Sequence, residues 1–211
     1  MSGRFPVARA RGTYAAQMRV GVFGGTFDPI HVGHLVAAVN ARHAAQLDVV
    51  LLVVANQPWQ KTGQRSITAA RDRYHLVAAA VEGIDGLEAS DLELRRGGNS
   101  YTVDTLTELR RLHPDDELFL VVGADVAAEL DTWERVEDVA ALATVVVVNR
   151  PGVPRPRLQA PWRVVDAGMP ALDVSSTDLR ARARDGRPLE FLVPDPAIRW
   201  IRTHRLYAED R

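Results

Sequence analysis

Short, almost wholly apolar runs recur along the chain, and amphipathic stretches with helical spacing fall between them. The first is RVGVF at residues 19–23, followed by DVVLLVVA at 48–55, LFLVVG at 118–123 and TVVVVN at 144–149. Such runs suit strands covered on both faces of a parallel sheet. Weaker strand signals sit at 87–94 and 163–168. Helices are predicted over 34–46, 68–83, 101–112, 136–143, 175–186 and 194–207, with a short one after Asp125. The helix from 175 opens on a serine pair suited to capping and closes at Gly186. Strands alternating with helices predict an α/β, Rossmann-like fold: a doubly wound parallel sheet with right-handed crossovers and a small C-terminal helical part. The proline-rich stretch at 151–162 is no domain boundary, because strand-like sequence resumes at once. Residues 18–211 therefore read as one domain. Residues 1–17 show neither alternation nor a helical stripe and lack the apolar stretch of a signal peptide, so they read as a loose arm or a mis-assigned start.

Composition narrows the chemistry. The chain has 211 residues, 46% of them hydrophobic and 25% charged, as expected for one ordinary globular domain. Lysine and arginine together number 26 against 27 acids, which argues against a chain-wide nucleic-acid footprint but leaves room for a local basic pocket. With no cysteine there is no disulfide, no thiolate nucleophile and no cysteine zinc site. No run approaches the roughly 18 apolar residues of a membrane span, and a cytoplasmic location is expected. Lys61 is the sole lysine in an arginine-rich chain, a pattern that coding bias alone would produce.

Chemistry concentrates in GGTFDPIHVGHL at residues 24–35, directly after the first strand. In open parallel sheets ligands sit beyond the carboxyl ends of the strands, so this loop is well placed. Gly24 and Gly25 are expected to turn the chain sharply and bring backbone N–H groups near a ligand. Thr26 adds a hydroxyl, and Asp28-Pro29 favours a turn towards the helix. His34 falls near the first helical turn and His31 three residues earlier. A helix start supplies unpaired N–H groups and partial positive charge, so two imidazoles there complete a polyphosphate cradle. Two plainer readings stand beside it: a simple tight turn, or a histidine metal site, the latter without an H-E-x-x-H pattern or a cysteine partner. The loop is neither a P-loop nor a dinucleotide fingerprint.

The run G-G-T-F-D-P-I-H-x-G-H resembles the signature of the H-x-G-H nucleotidyltransferase superfamily, and more widely the H-I-G-H loop of class I aminoacyl-tRNA synthetases. From Met18 onward, about nine-tenths of the chain resembles the bacterial nicotinate-nucleotide adenylyltransferases. The further motifs are GNSYTVDTL at 98–106, GADVAAELDTWERVEDV at 123–139, VSSTDLRARARDG at 174–186 and VPDPAIRWIRTHRLY at 193–207. One segment departs from the family: QPWQK at 57–61 stands where a Pro-Pro-His-Lys type of loop is usual, with Trp59 in place of proline or histidine. Lys61 keeps the family's basic position.

The resemblance implies adenylyl transfer from ATP to nicotinate mononucleotide, giving nicotinate adenine dinucleotide and pyrophosphate, in NAD biosynthesis. It implies His31, His34, Arg180 and Lys61 as catalytic. It places ATP against Gly24, Gly25, Thr26, Phe27, Asp28, Asp125 and the Ser175-Ser176-Thr177 helix start, with Arg180 clamping the triphosphate. The mononucleotide falls to Asn40, Thr102, Trp133 and Lys61, with Trp133 stacking on the pyridine ring. Mg²⁺ is expected on the phosphates, mainly through water, with no protein metal site. Plainer roles compete here too: a capped helix at 175, Asp125 as a helix cap, Trp133 as a core residue. A relative using pantetheine phosphate or nicotinamide mononucleotide is the rival enzyme, and a non-catalytic nucleotide-binding module the rival class. No nucleic-acid or membrane partner is expected, and a homodimer or higher assembly is left open.

Overall fold

The computed structural model describes residues 17–58, 66–149, 152 and 154–208. Its centre is a six-stranded sheet of β1 (Arg19–Gly25), β2 (Val49–Val54), β3 (Leu87–Ser90), β4 (Glu117–Gly123), β5 (Ala143–Asn149) and β6 (Val164–Gly168), in the order 3-2-1-4-5-6. All five neighbouring pairs are parallel. The chain builds outward from β1 to β3, then returns to the other side of β1 and builds outward again. The strand order therefore reverses between β1 and β4, where a doubly wound sheet opens a crevice.

Side-chain alternation feeds two cores. Val20, Val22, Val49, Leu51, Val53, Leu118, Leu120, Val122, Val145 and Val147 face one way; Val50, Leu52, Val54, Phe119, Val121, Val146 and Val148 face the other. The first face is covered by α3 (Leu92–Arg96), α4 (Thr102–Leu112), α5 (Ala124–Ala127) and α6 (Val136–Leu142). The second is covered by α1 (Val32–Ala44), α2 (Ala70–Val81), α7 (Ser176–Asp185) and α8 (Asp195–Thr203). The expected C-terminal helical part thus packs on the sheet through Leu179, Ala197, Ile198 and Ile201, sharing one core with α1 and α2. Helix α1 lies close to the sheet because its inner face is Ala37, Ala38 and Ala41. Gly21 in β1 makes room for its neighbours Leu47 and Val50: a Cβ there would stand 2.8 Å from Leu47 Cδ1 and 3.1 Å from Val50 Cγ2.

One predicted strand is shorter than its sequence pattern. Residues 87–94 alternate like a strand, but β3 stops at Ser90, and Leu92–Arg96 form α3. The reason is local: Arg95 N–H donates to Asp91 O, Arg95 and Asp91 form an ion pair at 3.1 Å, and Leu92 inserts into the core from the helix. The other elements fall within a few residues of expectation. Among the described residues no helix is long and apolar enough to cross a membrane.

Candidate active site

The loop from β1 to α1 is built on a strained residue between two glycines and two histidines. Gly24 and Gly25 remain extended within β1, and Phe27 makes the turn, at φ 47°. The turn was expected of the glycines. What Gly25 supplies instead is room, since a Cβ there would lie 2.7 Å from Phe27 Cζ. At Gly24 a Cβ would meet nothing within 4 Å, so its backbone borders open space. A phenylalanine in the left-handed region costs roughly 1–2 kcal/mol and persists only where its surroundings hold it. Here the buried Phe27 ring packs edge-on against Phe23 at 5.8 Å and against the His34 imidazole at 5.0 Å.

His31 is the N-cap of α1 and His34 its third residue. The rings stack at 3.7 Å and 28°. His31 N–H donates to His34 Nδ1 at 3.3 Å, which assigns the proton of a neutral His34 to Nε2. The ring is thus held by Phe27 on one side and His31 on another, with its proton on Nε2. Helix α7 starts beside this loop. Ser175 is its N-cap and accepts from Asp178 N–H at 3.2 Å. Ser176 Oγ donates to Pro29 O at 2.9 Å, and Arg180 donates from Nη1 to Asp28 O at 2.8 Å and from Nη2 to Thr177 Oγ1 at 3.1 Å. The Asp178 carboxylate is held below its ordinary range, first by the Arg182 hydrogen bond and then by Arg187.

Two cavities open over the crevice. The larger, about 860 Å³, is lined by Gly24–Asp28, His31, His34, Asp125, Ser175–Thr177 and Arg180, with Met169 and Val174 as apolar wall. The smaller, about 280 Å³, is lined by Ser100, Tyr101, Thr102, Thr105, Glu93, Pro58 and Trp133. They share Phe23, Gly24, Gly25, Thr26, Gly123 and Val126, so they meet at the end of β1. The larger brings together two helix starts, a guanidinium and two imidazoles, all donors to an anion. The smaller has a half-buried tryptophan and the start of α4, where Tyr101 is N-cap and Thr102 the first residue.

Most of the sequence-derived residues line one or both of these cavities. Every one assigned to ATP lines the larger cavity, while Thr102 and Trp133 line the smaller. Asn40 lines neither: it lies six residues beyond His34, about 9 Å along the helix, and its Nδ2 donates to Val36 O at 2.8 Å. Lys61 and Trp59 lie outside the described residues, as do residues 1–16. Glu93 was missed because its segment reads as a strand. It is buried, accepts from Thr105 Oγ1 at 2.5 Å and pairs with Arg96 at 3.8 Å. Among the described residues no three acidic or histidine side chains gather around a common point. The donor set of the larger cavity, with Asp125 as its exposed acid, fits Mg²⁺ carried by phosphates and water.

A doubly wound sheet with an H-x-G-H helix start and a facing Ser-Ser-Thr helix start defines the class of nucleotidyltransferase. Residues 22–182 match the family model described as cytidylyltransferase-like. Two similar proteins are each named probable nicotinate-nucleotide adenylyltransferase. One, from Corynebacterium kroppenstedtii, is 43% identical over 90% of each chain; the other, from Thermus thermophilus, is 45% identical over 90% of this chain and all of its own. The chain therefore belongs to the cytidylyltransferase-like family and, within it, to the nicotinate-nucleotide adenylyltransferases. Its fold is similar to that of the Plasmodium falciparum nicotinic acid mononucleotide adenylyltransferase complexed with NaAD: TM-score 0.73 at 17% identity, covering 90% of this chain and 98% of the other.

Proposed function

We propose that the protein transfers the adenylyl group of ATP to nicotinate mononucleotide, releasing pyrophosphate and nicotinate adenine dinucleotide in the cytoplasm. One observation carries the reading: two cavities of different chemistry meet at the end of β1, the larger a donor-rich cradle and the smaller an aromatic slot. Triphosphate in the first and mononucleotide in the second bring the acceptor phosphate against the α-phosphorus at that junction.

The acceptor phosphate is largely ionised at neutral pH, with a second pKa near 6, so attack needs no general base. Its oxygen bonds to the α-phosphorus as the bond to the bridging oxygen breaks, and the electron pair leaves with pyrophosphate. Catalysis is then alignment and charge stabilisation. His34 Nε2–H, the amides at the α7 start and Arg180 are suited to the charge that grows on the departing pyrophosphate. Mg²⁺ carried by the phosphates, when bound, neutralises part of the same charge. Lys61 adds a cation from the loop after β2 by family resemblance. Thr102 and the amides at the α4 start suit a carboxylate on the pyridine ring, and Trp133 suits its face.

Pyrophosphate release from Mg-ATP, measured with each acceptor in turn, tests this. Nicotinate mononucleotide should exceed nicotinamide mononucleotide about ten- to a hundredfold in kcat/KM, because the amide presents donors to donors at roughly 1–3 kcal/mol per unpaired buried group. Equal values would remove the nicotinate assignment, preference for pantetheine phosphate would move the acceptor elsewhere, and no turnover with any acceptor would leave a nucleotide-binding module.

A further inference from the structure

Two polar side chains reach the cradle from behind, and neither lines either of the two cavities described above. Arg73, in the first turn of α2, is 1% exposed, an environment that costs a cation several kcal/mol unless its donors are met. They are met by main-chain oxygens. Nε donates to Thr68 O at 2.8 Å, Nη1 to Thr26 O at 2.7 Å, and Nη2 to Ala55 O at 2.7 Å and Asn56 O at 3.3 Å. Thr26 belongs to the wall that both cavities share, and Ala55 to the wall of the smaller one. The β1–β2 ladder ends where Ala55 N–H donates to Gly25 O. Beyond that bond the two loops diverge, and the guanidinium spans the gap. From Asn56 the connection continues to the start of α4, through Asn56 N–H to Ser100 Oγ at 2.8 Å and Asn56 Nδ2 to Gly98 O at 2.9 Å.

The second group is Tyr207, just beyond α8. Its hydroxyl donates to Asp28 Oδ1 at 2.9 Å, across 179 positions of sequence. Asp28 is 2% exposed, and its carbonyl receives Arg180. Burial, and then the Asp28 charge, push the phenol far above its ordinary pKa, so it stays a neutral donor. The chain places it there at a cost: Arg205 and Tyr207 both adopt the left-handed region, at φ 51° and 65°.

We propose that Arg73 and Tyr207 form a brace behind the cradle that fixes the phosphate loop against the acceptor cavity, making both positioning residues for the transfer step. The inference rests on the two-substrate reading above. A brace of this kind governs how the α-phosphorus meets the acceptor oxygen and leaves the binding of either substrate alone nearly intact. Misplacement of reacting groups by about 1 Å costs on the order of a hundredfold in rate. A role in stability alone would instead lower the folded fraction and leave turnover per folded molecule unchanged.

The test uses Tyr207→Phe, which removes one oxygen, and Arg73→Lys, which keeps the charge but not the fork that spans two loops. Binding of Mg-ATP alone and of nicotinate mononucleotide alone is measured by calorimetry. Steady-state kcat is measured well below each variant's melting temperature and normalised to folded protein by circular dichroism. The expected result is dissociation constants within about threefold of wild type and kcat lowered about tenfold or more, with Arg73→Lys the more severe. Normal kcat per folded molecule in Tyr207→Phe overturns the proposal, and this variant decides if Arg73→Lys does not fold. Weakened binding that accounts for the whole loss overturns it as well. Wild type that turns over a different acceptor overturns the acceptor assignment alone, and the comparison then stands with that acceptor; wild type without turnover overturns both.

Discussion

On the proposed function, His34 is a side chain prepared for charge that is not yet present. Its ring is fixed by the Phe27 edge at 5.0 Å, by the His31 stack at 3.7 Å and by the His31 N–H on Nδ1. Fixing one nitrogen assigns the other as donor, and a preorganised donor needs no reorganisation when charge develops. His34→Ala is therefore expected to lower kcat about 10²–10³-fold while the far-UV spectrum and melting temperature stay near wild type. Near-normal turnover at saturating Mg-ATP would end the phosphate role. The histidine pair was legible in the sequence because its spacing falls at a helix start. The tautomer was not, because it depends on a 3.3 Å contact inside the turn. Nor was the turn residue: glycine is the usual bearer of positive φ, whereas here Phe27 carries it and Gly25 makes room. Arg73 leaves a visible trace in the sequence. It stands in phase with Leu76, Val77 and Ala80, and a guanidinium in an apolar helical stripe must be either misplaced or fully bonded.

At the scale of elements, the cradle depends on helix starts aimed by small residues and on helices that lock against one another. The α2–α8 contact is one such lock. Trp200 lies between the rings of His75, at 4.5 Å, and His204, at 4.0 Å. Desolvation and the Arg71 charge lower the His75 pKa below its ordinary 6.5; Asp72 opposes them, and His204 adds a small push in the same downward direction. The fold therefore favours the neutral ring. In the unfolded chain His75 takes up its proton near pH 6.5, before it does so in the folded state, so its contribution is present above that pH and fades below it. The melting temperature should fall between about pH 7.5 and 5.5, and His75→Gln should flatten that fall. An equally steep fall in the variant would locate the effect in other groups. Helix existence and sheet order followed from the alternation of apolar runs with amphipathic stretches. The 87–94 segment failed because its period-2 pattern is shared by a short strand and the first turn of α3, and only Asp91 meeting Arg95 distinguishes them.

For the whole molecule, the order 3-2-1-4-5-6 explains why motifs more than a hundred residues apart meet. β1 sits at the centre of the sheet and its loop at the reversal of strand order. The α4 start, the end of β4, the α7 start and Tyr207 all come to that one loop from different directions. The distances between them could not be read from spacing, because contacts such as Tyr207 with Asp28 arise only once both cores have closed. Among the described residues the first to join a core are Met18, partly buried, and Val20, both on the face covered by α3 to α6. Met18 is also where the sheet is tied off: its N–H donates to Asp116 Oδ1 at 2.9 Å, and its carbonyl accepts from Glu117 N–H at 2.8 Å. Among the described residues, the Gln17 side chain donates to Glu117 Oε1 at an exposed 3.4 Å, a bond of little worth. Because residues 1–17 carry no periodic apolar pattern, a chain beginning at Met18 should fold and turn over like the full one. Losses at such a surface stay within about 0.5 kcal/mol, or roughly 1–2 °C for a domain of this size. Thermal melts and kcat/KM of the two chains, prepared side by side, check this. A drop of 5 °C or more, or a several-fold loss of kcat/KM at equal folded concentration, would mean that residues 1–17 pack on the domain or contribute to the cleft.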